Sequence, residues 1–412
     1  MQTLNCTDSC LQKRGNCATI RLNFPVPEAS TNLKQLKNIL QDFYRKADLF
    51  LLGVCMICST FGLIVIRSAT MSFSSRTFIP VQLLGIVLGL IAYVVFTVID
   101  LDVYADKWIL LAGFEFLFQG TLIPFGVDGG TGNSAWLRFG PIGVQPAEIS
   151  KIIFIVLMAK QMTYLKEYKD ISSLSSILQL VAHFGVTFVW LMITADDLGS
   201  AVVFIGIFGI MLIAAGVKIY WFLIAGGAVA LVTPVLWNVF LDDYQRQRIL
   251  APYDPSVDPD GWGIRWHANQ SKIALAAGQL KGVGYGKGIQ TQSEALSGKH
   301  TDFIFSSAGE ELGMIACVAI LLLLSIVIIR IMLIGLRSNN TMSFLVCTGI
   351  AASFFVQLLI NTGMCMEITP VIGITLPFFS YGGTSVMTSF AAVGIVSGIK
   401  YRPKPGRFIR GS

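Results

Sequence analysis

Eight long stretches of this chain carry no charged side chain, and they restrict its fold more than any other feature. Each is 18–25 residues long and strongly apolar. About 20 helical residues span the hydrocarbon core of a bilayer. The sequence therefore predicts an all-α integral membrane protein and excludes both a soluble enzyme and a barrel of short alternating strands. The stretches are residues 49–66, 77–99, 171–195, 198–217, 219–241, 312–329, 342–366 and 382–399.

Two weaker segments, Trp108–Phe125 and Glu148–Met162, complete a prediction of ten transmembrane helices. Basic residues cluster before the first span, at 13–46, and after the last, at 400–410. Cytoplasmic flanks collect Lys and Arg, so both termini are expected in the cytoplasm, which requires an even number of spans. The loop 242–302, before the eighth helix, is then large and extracellular.

The predicted transmembrane domain covers residues 47–399, between a cytoplasmic tail (1–46) and a basic cytoplasmic tail (400–412). Apolar residues recur at helical spacing over 30–46, together with Lys and Arg. This pattern predicts an interfacial amphipathic helix that contacts membrane lipids; a partner-binding helix is the alternative. The net charge of +6 is explained by these flanks, so nucleic acid is not an expected partner.

A first dense group of polar residues follows the third predicted span and contains Trp136, Arg138, Gln145, Glu148 and Lys151. The glycines and prolines between them predict an irregular loop at the outer surface. Glu148 and Lys151 are three residues apart and therefore share a helix face. They predict either an ion pair at the helix end or, with Arg138, a cationic wall for an anionic headgroup.

A second group lies in the long loop and the helix after it. Its glycine-rich run, 282–288, follows no strand, so a Rossmann nucleotide site is excluded. The run leads to a carboxylate, Asp302, beside a histidine at the predicted water–membrane boundary. Ionisable residues in membrane segments are functional candidates by default. The polar residues singled out in this region are Arg246, Arg248, Gln270, His300, Thr301, Asp302, Glu310 and Glu311.

A third group follows Asn361 and reads Leu-Pro-Phe-Phe-Ser-Tyr-Gly-Gly over residues 376–383, including Ser380. Its proline and paired glycines break an apolar stretch. The backbone groups freed by such a break must line a polar cavity or be buried in protein.

Together these groups resemble the SEDS family (shape, elongation, division and sporulation), which includes RodA, FtsW and spore-cortex proteins. The motifs that carry the resemblance are Trp…Gln-Pro-x-Glu-x-x-Lys over 136–151, Asp-Leu-Gly at 197–199, His-Thr-Asp-Phe at 300–303 with the following Gly-Glu-Glu-Leu-Gly, and the block at 376–383. The resemblance covers about residues 47–402. Ala135 stands where many members have an arginine, and Arg138 is a candidate replacement.

The resemblance implies a peptidoglycan glycosyltransferase in the bacterial cytoplasmic membrane. It would polymerise lipid II at the outer face during elongation, division or sporulation, with a class B penicillin-binding protein and other cell-wall synthesis proteins as partners. The lipid pyrophosphate is an acidic leaving group that needs charge stabilisation, whereas the acceptor hydroxyl needs a base. We therefore expect Asp302 to be the base, and His300 is a weaker alternative.

A divalent cation, Mg²⁺ or Mn²⁺, that bridges Asp302 and the pyrophosphate is also expected. The expected substrate-binding residues are Trp136, Arg138, Gln145, Glu148, Lys151, Asp197, Arg246, Arg248, Gln270, His300, Thr301 and Ser380. Two other functions remain open: a lipid II flippase and a non-catalytic scaffold of a cell-wall synthase complex. A transporter needs polar sites near the midplane, whereas these polar residues cluster toward the outer end of the predicted spans.

Overall fold

The computed structural model describes residues 43–127, 134–140, 142–235, 237–238 and 243–402. The chain divides into two compact units, residues 1–45 and 46–412, and every element named below belongs to the second. The amphipathic helix predicted over 30–46 lies outside the described residues except for 43–46, which are helical. Most of the basic tail, 403–412, also lies outside them.

The helices follow one another through most of the described chain. They are α1 (Leu49–Ala69), α2 (Phe78–Val98), α3 (Leu101–Asp106), α4 (Trp108–Gly120), α5 (Leu122–Phe125), α6 (Pro146–Tyr168), α7 (Leu174–Ala195), α8 (Leu198–Ala215), α9 (Ile219–Val235), α10 (Asp243–Leu250), α11 (Trp266–Gly278), α12 (Ile289–Gln292), α13 (Ile304–Leu336), α14 (Thr341–Cys365) and α15 (Gly383–Tyr401). A single 3₁₀ turn, Pro255–Val257, lies between α10 and α11.

Each predicted span overlaps one or two helices, and the all-α membrane fold is confirmed. In the described part of the chain, seven helical segments are long and apolar enough to cross a membrane: α1, α2, α4 with α5, α7, α8, α13 and α14. The apolar part of α9 is shorter. The count of ten spans and the positions of the termini stay predictions, since length and composition alone do not decide them.

The irregular loop predicted before Glu148 is partly wrong, because two short strands form there. Strands β1 (Leu137–Phe139) and β2 (Ile142–Val144) pair antiparallel, with Arg138 opposite Gly143. Trp136 extends the pairing, and its carbonyl accepts a hydrogen bond from Val127 N (2.8 Å). Pro146 then begins α6, where a proline lacks only a donor that the helix leaves unpaired.

Helix α13 starts earlier than the predicted span 312–329 and contains a break. Gly313 has φ 81° and ψ −177°, a conformation that favours glycine. Residues 279–284 supply hydrogen bonds at the break: Gln279 O accepts from Met314 N (2.8 Å), and Val283 N donates to Glu310 O (2.9 Å). The glycine-rich run is therefore packed against a helix, and the broken backbone is satisfied within the protein.

Close helix contacts through glycine form much of the packing. The backbones of α2 and α15 approach at Gly85 and Gly394, where an added Cβ would lie 2.7 Å from backbone atoms of the other helix. Small residues allow such approaches between membrane helices. Helix α14 is buried along most of its length and packs against α6, α8 and α13. This arrangement fixes the segments that precede α13 and α15, which carry the candidate site.

Candidate active site

The segment 300–302 is tied to the irregular segment 374–381 by side chains and backbone. Asn361 Nδ2 donates to both Asp302 O (2.8 Å) and Ile374 O (2.7 Å). Ser380 Oγ donates to Thr301 O (2.6 Å), and Tyr381 N donates to His300 O (2.8 Å). Asp302 therefore sits on a fixed backbone although its segment is neither helix nor strand.

The Asp302 carboxyl lies in an environment that favours its protonated form. Burial raises its pKa to about 6, the nearby Asp197 charge adds to the increase, and Arg248 opposes it. Arg248 is itself held, because its Nε donates to Val371 O (2.6 Å). Two carboxylates and one guanidinium thus lie close enough to influence one another. A carboxyl with this pKa is suited to exchange a proton near neutral pH.

Asp197 links the Asp302 neighbourhood to the start of α6. Its Oδ2 accepts hydrogen bonds from Gln145 Nε2 (2.8 Å) and Ser200 Oγ (2.6 Å), and its Oδ1 accepts from Ser200 N (3.1 Å). The last contact caps α8, as an Asp at this position commonly does. Gln145 and Asp197 are 52 residues apart, so the first sequence group meets the Asp-Leu-Gly motif of residues 197–199 here.

The β-hairpin brings Arg138 near the third sequence group. The Arg138 charge opposes the increase in the Tyr381 pKa that burial causes. Thr384 Oγ1 donates to Gly143 O (2.7 Å), which holds the hairpin against the start of α15. The Trp136 ring covers Gly143, where an added Cβ would lie 3.1 Å from it. Arg138 is exposed and therefore accessible to a bound anion.

His300 is surrounded by aromatic rings rather than by polar partners. Its ring centroid lies 5.4 Å from Phe73, 5.1 Å from Phe78 and 5.4 Å from Tyr381. In the described part of the protein its buried Nδ1 has no hydrogen-bond partner. Burial, together with the Lys299 charge, lowers its pKa to about 4. His300 is therefore neutral at pH 7, and its packing supports the segment that carries Asp302.

Glu148 and Lys151 form the ion pair that was one of the two predictions for them. Lys151 Nζ lies 3.0 Å from both carboxylate oxygens, and the two residues are buried. Thr388 Oγ1 contacts Glu148 Oε2 at 3.4 Å. The pair lines a small cavity between α6, α14 and α15. Since Glu148 compensates the charge of Lys151, the pair presents little net positive charge to a ligand.

The other predicted residues lie in different surroundings. Arg246 Nη1 contacts Asp243 Oδ1 (3.3 Å), and Arg246 Nη2 donates to Asn238 O (3.2 Å) on the exposed side of α10. Gln270 is buried in α11, next to Ser271, whose hydroxyl donates to Cys365 O (2.7 Å). Asp197 and Arg248 lie close enough to influence the Asp302 carboxyl, whereas Arg246 contacts Asp243 and Asn238.

Gln82 was not among the residues predicted from the sequence, yet it supports the site. Its Nε2 donates to Ser380 O (3.3 Å), and its Oε1 accepts from Gly382 N (3.0 Å), so one side chain satisfies two backbone groups of the irregular segment. Gln82 is fully buried in α2. The sequence does contain a signal for it: Gln82 is an amide within an otherwise apolar span, and a buried amide needs hydrogen-bond partners.

Glu310 and Glu311 hold neighbouring segments together through hydrogen bonds. Glu310 Oε1 accepts from Gln290 N (2.9 Å), and its Oε2 accepts from Thr291 N (2.7 Å) and Thr291 Oγ1 (2.6 Å). Glu311 accepts hydrogen bonds from Ser68 Oγ and from Gln292 Nε2. Both carboxylates are buried. They fix α12, and with it the segment leading to Asp302, to α13 and α1.

Residues 44–404 match the family of FtsW, RodA and SpoVE cell cycle proteins. The peptidoglycan glycosyltransferase MrdB of Escherichia coli K12 is 36% identical over 272 residues, which are 65% of this chain and 71% of MrdB. A probable peptidoglycan glycosyltransferase FtsW of Geobacter metallireducens is 30% identical over 394 residues, which are 93% of this chain and 99% of that protein.

Solved structures agree with the fold. A chain of a peptidoglycan synthase complex superposes with a TM-score of 0.72 at 23% identity, over 86% of this chain and 97% of that chain. The rod shape determining protein RodA of Thermus thermophilus superposes with a TM-score of 0.63 at 21% identity, over 86% of this chain and 96% of RodA. This chain therefore belongs to the FtsW, RodA and SpoVE family of cell cycle proteins, the SEDS family.

Proposed function

We propose that this protein is a peptidoglycan glycosyltransferase that polymerises lipid II into glycan strands at the outer face of the bacterial cytoplasmic membrane. The main observation in support is that burial raises the pKa of the Asp302 carboxyl to about 6, close to the guanidinium of Arg248. Relatives that match this chain over most of their own length are named peptidoglycan glycosyltransferases. A base next to a cation is what glycosyl transfer from a pyrophosphate requires.

In the proposed reaction, deprotonated Asp302 accepts the proton of the acceptor sugar hydroxyl. The hydroxyl oxygen forms a bond to the anomeric carbon of the donor, and the bond from that carbon to the pyrophosphate oxygen breaks. The electron pair leaves with the lipid pyrophosphate, whose acidity makes a strong general acid unnecessary. The charge of Arg248 acts on Asp302 and that of the exposed Arg138 acts on Tyr381, and these two cations stabilise the charge that develops on the leaving group.

The residues present fit a divalent cation that is shared with the substrate. No group of three or more His, Cys, Asp or Glu side chains in the described ranges is arranged to hold a metal ion. Mg²⁺, however, commonly takes one or two protein carboxylates and completes its shell with phosphate oxygens and water. Asp302 would hold it, with Asp197 the nearest second carboxylate, and the ion would neutralise charge on the pyrophosphate.

This proposal predicts that chelation of divalent cations by EDTA stops polymerisation and that added Mg²⁺ or Mn²⁺ restores it. The measurement is the amount of polymer formed from labelled lipid II by the purified protein. A matched reaction with EDTA presaturated with Mg²⁺ controls for effects of the chelator itself. Full activity in excess EDTA would exclude the cation.

The same assay tests the function. Purified protein is incubated with labelled lipid II, with and without a class B penicillin-binding protein as the proposed partner. A chain of a peptidoglycan synthase complex shares the fold, which supports a partner cell-wall synthase. Polymer in either reaction supports the enzyme. Lipid II translocation without polymer would instead support a flippase, although the anchoring contacts of Glu310 and Glu311 argue against a transport path through them.

The Glu148–Lys151 pair gives a separate prediction. Lys151→Ala leaves a buried carboxylate without its cation, and we expect a loss of about 3–5 kcal/mol in the free energy of unfolding. The double variant Glu148→Gln with Lys151→Met removes both charges and should recover most of that loss. Thermal unfolding in detergent measures both. A double variant that is stable but inactive would show that Lys151 also binds substrate, whereas a stable single variant would exclude the structural role.

A further inference from the structure

We propose that Trp262 and Trp266 form a stacking platform for the sugar rings of the growing glycan strand. The two indole rings are nearly parallel, with centroids 4.6 Å apart and an interplanar angle of 18°. Trp262 is 75% exposed, so its outer face is open. The inference rests on the proposed function, because that function makes a glycan strand the product.

The platform is built into the fold. Trp266 Nε1 donates to Ala295 O (3.0 Å), which fixes the inner ring to the segment that leads to Asp302. Asp258 Oδ2 accepts hydrogen bonds from Gly263 N (2.9 Å) and Arg265 N (3.0 Å). These bonds join residues before and after Trp262 and so hold the turn that contains it. A solvent-exposed aromatic ring held in this way is preorganised to bind.

The platform is continuous with the candidate active site. His267, the neighbour of Trp266, lies beside Phe303, with ring centroids 6.5 Å apart, and Phe303 directly follows Asp302. A strand that leaves Asp302 past Phe303 and His267 would pass the first turn of α11, where Trp266 lies.

The chemistry of the patch favours a neutral sugar over a lipid headgroup. A pyranose ring presents axial C–H bonds on one face, and these complement the negative face of an indole ring. Asp254, Asp258 and Asp260 lie within the nine residues that end at Trp262. Carboxylates this close to Trp262 disfavour insertion of its ring into the membrane, where charged side chains are costly. A membrane anchor is therefore the less favoured occupant, and the test includes it.

The test uses the full chain and three variants. Trp262→Leu removes the aromatic face, Trp262→Tyr keeps one, and Trp108→Leu is the matched control. Trp108 is 49% exposed at the first residue of α4, at the opposite end of that helix from the β-hairpin. Two measurements are made: binding of chitohexaose by calorimetry, and the length distribution of glycan strands formed from lipid II.

We expect Trp262→Leu to weaken chitohexaose binding about tenfold, because a stacking contact and its buried area are lost together. Weaker binding acts mainly through faster dissociation, so this variant should release shorter strands while Trp262→Tyr and Trp108→Leu resemble the original protein. Unchanged affinity and strand length in Trp262→Leu would overturn the platform. Equal shortening in Trp108→Leu would assign the effect to membrane anchoring and also overturn it. If chitohexaose binding depends on Trp262 but the protein forms no polymer from lipid II, the platform is supported and the proposed function is rejected.

Discussion

Replacing Asp302 with Asn is expected to abolish glycan polymerisation while leaving the protein folded. Asn keeps the size of Asp and leaves the backbone carbonyl that accepts from Asn361 unchanged, but it cannot accept a proton as a base. Loss of a general base typically lowers a rate by about 10²–10⁴, and loss of a carboxylate ligand to a cation would add to this. The measurement is the initial rate of polymer formation from labelled lipid II.

Asp260→Asn is the matched control, because Asp260 is an exposed carboxylate in the same loop. It should retain the original rate, and both variants should unfold at the original temperature. An Asp302→Asn variant that polymerises lipid II near the original rate would remove Asp302 as the base. An inactive Asp302→Asn variant that unfolded at a lower temperature would instead have lost its activity for a structural reason.

The pH dependence follows from the same group. Burial raises the pKa of Asp302 to about 6, and the base must be deprotonated to act. The value of kcat/KM should therefore fall about tenfold per pH unit below 6 and level off above it. His300, with a pKa lowered to about 4, is neutral throughout this range. An acidic limb centred near 4 instead of 6 would contradict the assignment to Asp302.

The apolar runs predicted the helices well because the bilayer sets their length, whereas breaks in regular structure depended on contacts that sequence does not show. Gly313 interrupts α13, and the backbone of residues 279–284 satisfies the break. No periodicity in α13 indicates this, because the partner segment lies outside the helix. The β-hairpin at 137–144 was likewise missed, since strands of three residues leave almost no alternating pattern.

For the site, motifs identified many of the residues but not their relations. The hydrogen bond between Gln145 and Asp197 joins two motifs across 52 residues, and only the fold shows it. Arg246 and Arg248 are two residues apart and looked equivalent, yet only Arg248 influences Asp302, while Arg246 pairs with Asp243. Glu310 was a functional candidate because ionisable residues are rare in membrane segments, and the structure shows that it accepts hydrogen bonds from backbone and side-chain donors.

The second large effect is expected from Glu310→Ala, which removes the acceptor of these hydrogen bonds. Glu310 accepts three hydrogen bonds from Gln290 and Thr291, and the variant would leave the two buried donors of Thr291 and the half-buried amide of Gln290 without this acceptor. Each such group costs about 1–3 kcal/mol, so the free energy of unfolding should fall by about 3 kcal/mol or more. Because α12 precedes the segment that carries Asp302, kcat should fall as well.

Glu294→Ala is the control for this variant, since Glu294 is an exposed carboxylate two residues after α12. It should change neither stability nor kcat. Glu310→Gln keeps an acceptor oxygen and should recover part of both losses, as a positioning role requires. If Glu310→Ala unfolds at the original temperature and polymerises lipid II at the original rate, the contacts to α12 do not position Asp302. If kcat alone falls and Gln gives no recovery, the Glu310 charge takes part in the reaction more directly.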